Sequence, residues 1–449
     1  MSSLEQWLAY QAQVHPQAID LGLERLREVL DRLRWRPPDV PVITVAGTNG
    51  KGSVSAYCGA IMRAAGYRVG TFTSPHLRDY RERIRIHDRF VSAEELVSAF
   101  DRIEAARDEV GLTFFEFNTL AAFLVFEAAQ LDAWVLEIGM GGRLDAVNVV
   151  DPDVAVVVSI GFDHQEYLGT TLAAIAREKA GIFRKGRPAV LGSRELPGVI
   201  DDIARGIGAP LKRLGVEFDY TVEGDAWRYR GVQWDLPNLP APALAGDMQF
   251  ANAATAIAAL EEIAILERAD ARLAISAAAV AQGLRQVRLV ARFQVIPPTK
   301  PSAPTWILDV AHNPAAARVL ANNLRQRQGS GAGRTFAVCG ILADKDAAGV
   351  AAELRDCVDA WWCATTDGAR GQSGAELAEK VRAQVAAPVE VADGISAACA
   401  AASRLAAAGD RIVVFGSFHT VGPALDWLEA QELLPPAALP EYTAAPRAT

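Results

Sequence analysis

Three glycines, a lysine and a serine fall within the seven residues Gly47-Thr-Asn-Gly-Lys-Gly-Ser53, a combination able to hold a polyphosphate. Glycine lets the backbone curl so that successive N–H groups face one anion, and a following helix adds the positive end of its dipole. Lys51 supplies a mobile cation for phosphate oxygens. The run departs from the general G-x-x-x-x-G-K-[ST] pattern, because Val45 stands where a glycine is required and Gly52 where a hydroxyl is. The hydroxyl arrives one residue late, at Ser53, so Ser53 is not assigned as a magnesium ligand. The competing reading is a glycine-rich strand-to-helix turn with no ligand.

Other chemistry-bearing residues follow apolar runs. Glu137 closes Ala-Trp-Val-Leu-Glu and precedes Ile-Gly-Met-Gly-Gly-Arg-Leu-Asp. A carboxylate among glycines at a strand tip suits Mg²⁺, which prefers hard oxygen and retains waters. The bland alternative is an acid in a solvated loop. His164, beside Asp163, reads equally as a hydrogen-bonded structural histidine. Ser74, in Thr-Ser-Pro-His-Leu, reads as a turn serine before proline. Lys179, on composition alone, reads as a solvated helical lysine. Further along, Arg292 lies in Ala-Arg-Phe-Gln, Asp309 and His312 in Asp-Val-Ala-His-Asn-Pro, and Ser417 and His419 in Gly-Ser-Phe-His-Thr-Val.

Strand and helix patterns alternate along the chain, which predicts an α/β fold: a mostly parallel sheet with a small antiparallel element, then a smaller Rossmann-like α/β domain. Expected strands are Val42–Ala46, Tyr67–Thr73, Ala133–Ile138, Val154–Ile160 and Ala189–Leu191, with helices at Ser53–Ala65, Ala93–Glu109 and Thr119–Leu131. Aromatic alternation over 213–240 predicts the antiparallel element, and helices follow at Asn252–Leu266 and Ile275–Gln286. Four prolines between Val295 and Pro304 mark a linker or an edge excursion. Beyond them come strands Trp306–Val310, Thr335–Ile341, Ala360–Thr365 and Arg411–Phe415, with helices Ala315–Gln328, Ala347–Asp356, Gly374–Val385 and Gly394–Ala408. The expected domains are residues 1–294 and 295–434, with 435–449 a disordered tail. Ligands collect beyond strand carboxyl ends and at domain interfaces, so an inter-domain cleft is expected.

The chain has 449 residues, is 51% apolar and carries a net formal charge of −9. The charge argues against broad nucleic-acid binding. Five cysteines without C-x-x-C spacing read as reduced thiols, and neither a signal peptide nor a membrane span is visible. A cytoplasmic protein is expected.

The motifs V-A-G-T-N-G-K-G-S, T-S-P-H-L, F-F-E-F-N-T-L, E-I-G-M-G-G-R-L-D-A-V-N, D-H-Q-E-Y-L-G, R-E-K-A-G-I-F-R, L-x-G-x-x-Q-x-x-N-A, A-R-F-Q, D-V-A-H-N-P and G-S-F-H-T-V run in order over nearly the whole chain. In these the chain resembles the bacterial folylpolyglutamate synthases, in the bifunctional form that also has dihydrofolate synthase activity, relatives of the Mur ligases. The resemblance implies an ATP-dependent amide ligase that joins L-glutamate to dihydropteroate or a reduced folate through an acyl phosphate. It implies that Thr48, Asn49, Gly50 and Lys51 hold the ATP phosphates, with Asn252, Arg292 and Asp309 as further ATP contacts and His312 nearby. Ser74, Glu137 and His164 would take magnesium, and a carbamylated Lys179 would take a second ion. Asp20, Leu21, Gly22, Thr113, Phe114, Phe115, Glu116, Leu144, Asp145 and Ala146 resemble the dihydropteroate pocket, with Phe114, Phe115 or Phe117 stacking on the pterin. Ala291 departs from the family, which usually has glycine before Arg-Phe. A monomer acting on small molecules is implied, without nucleic acid or membrane partners.

Two other ligase readings and one non-enzymatic reading compete. A Mur-type ligase would carry a nucleotide-sugar domain ahead of the loop, and only 46 residues precede Gly47. A monofunctional folylpolyglutamate synthase is the second, against which the Gly-Arg-Leu-Asp-Ala-Val-Asn segment and the Asp20-Leu-Gly motif favour dihydropteroate binding. A nucleotide-binding scaffold would not need Ser74, Glu137, His164 and Lys179 together.

Overall fold

The computed structural model describes residues 1–17, 19–224, 226–266, 273–327, 333–368 and 370–435, so all of the expected tail but Pro435 lies outside the described residues. The chain divides into two compact units. The first contains residues 1–243 and 249–287, and the second contains residues 244–248 and 288–435.

The first unit is built on an eight-stranded sheet. Its strands are β1 Val42–Ala46, β2 Val69–Phe72, β3 Ile84–Ile86, β4 Arg89–Phe90, β5 Ala133–Glu137, β6 Val154–Val157, β7 Ala189–Leu191 and β8 Leu211–Arg213. Their spatial order is β4-β3-β2-β5-β1-β6-β7-β8, parallel from β2 to β8, with the β3–β4 hairpin antiparallel at one edge. Every residue of β1, β5 and β6 is buried, as expected for central parallel strands covered on both faces. Each buried Val or Ile contributes roughly 1.5–3 kcal/mol. Because β1 lies between β5 and β6, the loops leaving these three strands emerge side by side. A separate antiparallel sheet, β9 Asp219–Glu223, β10 Ala226–Arg230 and β11 Asp235–Pro240, occupies the aromatic-rich stretch.

Several helices differ from expectation. The helix after β1 starts at Lys51, not Ser53. The helix expected from Thr119 starts at Phe114, because Thr113 and Glu116 form a capping box: the Glu116 N–H donates to Thr113 Oγ1 and the Thr113 N–H to Glu116 Oε2. Phe117 is fully buried in the core beside Phe100, which removes it as a pterin-stacking ring.

The second unit holds β12 Gln294–Ile296, β13 Thr305–Leu308, β14 Thr335–Cys339, β15 Ala360–Ala364, β16 Val389–Ala392 and β17 Arg411–Phe415. They form one sheet in the order β12-β13-β17-β14-β15-β16, parallel except for β12. The four prolines therefore belong to the connection of an edge hairpin, where a missing N–H costs no ladder bond. Sequence reading missed β16 and the helix Phe418–Ala430. All five cysteines are free thiols. Among the described residues no helix is long and apolar enough to cross a membrane.

Candidate functional site

The loop after β1 is shaped by its neighbours as much as by its own glycines. Gly50 adopts φ +88°, a left-handed conformation open to glycine at no steric cost, and caps the helix Lys51–Ala64. The loop is pinned to the end of β6. The Thr48 N–H donates to the Ser159 carbonyl at 2.9 Å and Thr48 Oγ1 to the Gly161 carbonyl at 3.1 Å. The Asn49 N–H donates to Ser159 Oγ at 3.0 Å, and that hydroxyl donates back to the Asn49 carbonyl at 2.9 Å. Ser159 was not singled out from the sequence. Asn252, on the helix Met248–Ile265, comes so close that a Cβ added at Gly50 would lie 2.9 Å from its Oδ1.

Two lysines meet at one carbonyl. Lys51 Nζ donates to the Gly47 carbonyl at 3.0 Å and to that of Thr48 at 3.2 Å, while Lys179 Nζ donates to Gly47 at 3.0 Å. Lys179 is 4% exposed, which overturns its reading as a solvated lysine. Burial, reinforced by the Lys51 charge, pushes its pKa down to about 7, with Asp163 and Asp145 opposing. A neutral amine fraction near pH 7 follows, and Lys179 also lies on the last turn of its helix, Leu172–Ala180.

Glu137 ends β5 in register with Val45 of β1 and is 3% exposed. Ser74 meets it: the Ser74 N–H donates to Glu137 Oε2 at 3.4 Å. His164 follows β6 in a left-handed conformation at φ +50°, with Nε2 3.9 Å from Asp163 Oδ1. The end of β5 and the loops leaving β2 and β6 thus carry Glu137, Ser74 and His164 at one end of the sheet. Among the described residues no three His, Cys, Asp or Glu side chains converge on a metal position. A donor set of one carboxylate, one hydroxyl and one imidazole fits a cation that keeps waters and phosphate oxygens as its other ligands.

Residues assigned to a pterin pocket form a second cluster. Arg25 Nη1 donates to Asp20 Oδ2 at 2.7 Å and Nη2 to the Asp20 carbonyl at 2.8 Å, while its Nε donates to Glu116 Oε1 at 3.2 Å. Arg25 therefore ties the Asp20-Leu21-Gly22 segment to the Thr113–Glu116 helix start. Its partner Glu116 is 91 residues away, so local pattern gave no signal for it. Phe114 and Phe115 remain partly exposed, and Phe115 fills the space where Gly139 lacks a side chain: a Cβ there would lie 2.5 Å from its ring. Leu144 is partly exposed and Ala146 buried. Asp145 Oδ2 accepts from the Met140 N–H at 2.8 Å and Oδ1 from the Val147 N–H at 3.0 Å. Burial pushes its pKa up to about 7 against those donors.

In the second unit Asp309 is folded into its own loop. Its Oδ2 accepts from the Phe293 N–H and its Oδ1 from the Ala311 N–H, both at 2.8 Å. Burial raises its pKa while the Arg292 charge opposes. His312 Nδ1 donates to the Val310 carbonyl at 2.8 Å, which fixes Nε2 as the basic nitrogen of the neutral ring. The Arg292 guanidinium lies 5.5 Å from the Phe418 ring, and His419 is half-buried with its pKa lowered by burial and by Arg370. Ala291 sits at φ +61°, which accounts for glycine being usual at that place.

Comparison with known proteins accords with this geometry. Residues 45–193 match the family model for the Mur ligase middle domain, and residues 291–418 match that for the Mur ligase glutamate ligase domain. The chain is 42% identical over 430 residues to the dihydrofolate synthase/folylpolyglutamate synthase of Escherichia coli strain K12, covering 96% of each chain. The solved structure of E. coli FolC in complex with DHPP and ADP superposes with a TM-score of 0.88 at 42% identity, over 96% of this chain and 99% of that one. A bifunctional folylpolyglutamate synthase/dihydrofolate synthase with Mn, AMPPNP and L-glutamate bound gives 0.85 at 42% identity, over 96% and 98%. Two lysines on one glycine-loop carbonyl, an acid at the neighbouring strand end and relatives of this identity and coverage lead to one conclusion: the chain belongs to the dihydrofolate synthase/folylpolyglutamate synthase family of the Mur ligases.

Proposed function

We propose that this protein is an ATP-dependent amide ligase that joins L-glutamate to dihydropteroate, giving dihydrofolate, and to reduced folates, giving polyglutamates. The observation that carries this reading is the meeting of Lys51 and Lys179 on the Gly47 carbonyl, beside the strand end that bears Glu137. ADP, DHPP, AMPPNP, Mn and L-glutamate in the relatives' structures support the substrate classes.

A carboxylate is a poor electrophile. Its oxygen first attacks the γ-phosphorus of ATP, and the bond to the β–γ bridging oxygen breaks as ADP leaves. Thr48, Asn49 and Gly50 position the phosphates, Asn252 flanks them, and Lys51 balances charge on the transferring group. Ser74, Glu137 and His164 would hold Mg²⁺, and a carbamate on Lys179 would hold a second ion; cations there would neutralise the phosphoryl oxygens. The buried, partly neutral Lys179 amine is the form that adds CO₂. Asp20, Leu21, Gly22, Thr113, Phe114, Phe115, Glu116, Leu144 and Ala146 would seat the pterin acid, with Asp145 bracing the loop that carries its neighbours.

The glutamate amine then attacks the acyl carbon and phosphate departs. On the second unit Arg292 and Asp309 are proposed nucleotide contacts, and His312 Nε2 the acceptor of the amine proton. Residues 1–294 would carry ATP and pterin binding and 295–434 the glutamate ligase work, in a cytoplasmic monomer without nucleic acid or membrane partners. The test is product identity. Supplied with ATP, Mg²⁺, L-glutamate and dihydropteroate, the protein should yield dihydrofolate by mass spectrometry, and reduced folate should yield products longer by successive glutamates. Elongation of reduced folate with no dihydrofolate formed would reduce the activity to the monofunctional one.

A further inference from the structure

Arg83 closes a short 3₁₀ turn, Tyr80–Arg83, and is 8% exposed. A buried guanidinium is costly unless its donors are matched. Only one edge is matched in this structure. Nε donates to His76 Nδ1 at 2.8 Å, and the group lies 5.7 Å from the Tyr80 ring and 5.6 Å from the Phe114 ring. Glu82 and Glu137 act on it through their fields, yet among the described residues no acceptor meets Nη1 or Nη2.

Its position joins two regions. Through Phe114 it touches the helix start assigned to the pterin. Through His76, and through its own carbonyl accepting from the Thr73 N–H at 2.9 Å, it braces the loop that carries Ser74. The guanidinium thus stands against the Phe114 ring assigned to the pterin and within the field of Glu137 at the strand end. In the proposed reaction that is where the acid's carboxylate must wait for the γ-phosphate. Two parallel N–H donors on a planar fork match a carboxylate in size and charge, and such a pair fixes orientation as well as affinity.

We propose that Arg83 binds the reacting carboxylate of the pterin acid through Nη1 and Nη2. This rests on the pterin-acid reading above. Binding at Arg83 keeps the carboxylate ionised and aims one oxygen at phosphorus, while the Phe114 ring covers the guanidinium.

The test compares two ligands on the full-length protein: dihydropteroate, and the same pterin aniline with hydrogen in place of the carboxylate. Wild-type protein should prefer the acid by about 30-fold in Kd, the range expected of a charge-assisted pair. Arg83→Met should bind both ligands equally, within about twofold. Arg83→Lys, which keeps charge without the fork, should lose about fivefold of the preference, and it decides the matter if the methionine variant does not fold. An undiminished acid preference in the folded variant overturns the role of Arg83 and leaves the pterin reading intact. Wild-type protein that binds neither ligand overturns the pterin reading and this proposal together.

Discussion

Asp145 and Asp309 occupy similar niches in the two units and have different company. Asp145 is buried and Asp309 partly buried, each in a loop that follows a parallel strand, and each gives one oxygen to each of two backbone N–H groups. Burial raises both pKa values. The opposing cation for Asp145 is a lysine, Lys51, and for Asp309 it is an arginine, Arg292. A lysine amine can be neutralised by burial and then modified, whereas a guanidinium holds its charge. In the first unit the adjustable charge is that of the buried Lys179 beside Lys51. The second carries fixed charge near a histidine whose Nδ1 is held by the Val310 carbonyl.

The sharpest way to break this contrast is Lys51→Met, which should lower kcat by about 10³-fold by removing a charge aimed at the transferring group. A loss below tenfold in steady-state ADP formation would remove Lys51 from the chemistry. Next, Glu137→Ala should lower turnover by about 10²-fold and raise the Mg²⁺ concentration needed for half-maximal rate. Full turnover at ordinary Mg²⁺ would refute its assignment as a ligand.

The third prediction concerns pH. The folded-state pKa of Lys179, about 7, lies below its unfolded value of 10.5, so the unfolded chain binds the extra proton between these limits. The cost to the native state is full below pH 7 and fades as pH rises toward 10.5. In CO₂-free buffer Lys179→Met should therefore gain on the order of 2 kcal/mol at pH 6, a gain that shrinks toward zero by the upper limit. Urea midpoints with unchanged slope would measure it, and a gain independent of pH would contradict the buried-amine account. The smallest effect belongs to the second unit: Ala291→Gly should stabilise it by about 1 kcal/mol by relieving the φ of +61°. No shift in the unfolding midpoint would show the turn to be unstrained.

What the sequence disclosed was mostly local. The apolar β-branched run before Gly47 marks a central strand because both faces of β1 are buried. Glu137 and His164 were visible because strand ends lie beside glycines or short polar loops. The capping box Thr113–Glu116 was also written in the chain, and reading it would have placed the helix start at Phe114 rather than Thr119. The helix Phe418–Ala430 escaped because Pro423 and Gly422 sit inside it. Arg25, Ser159 and the burial of Lys179 were not legible, since their partners lie 91, 110 and 132 residues away and exist only once the sheet has brought the loops together.

Loops at the ends of β1, β2, β5 and β6 would together activate a pterin carboxylate with ATP. The most direct measurement is ADP formation by the wild-type protein with Mg²⁺ as L-glutamate and dihydropteroate are supplied singly and together. Sustained turnover is predicted only when both are present. Equal ADP release without the pterin acid, or none with the full set, would contradict that role for the loops.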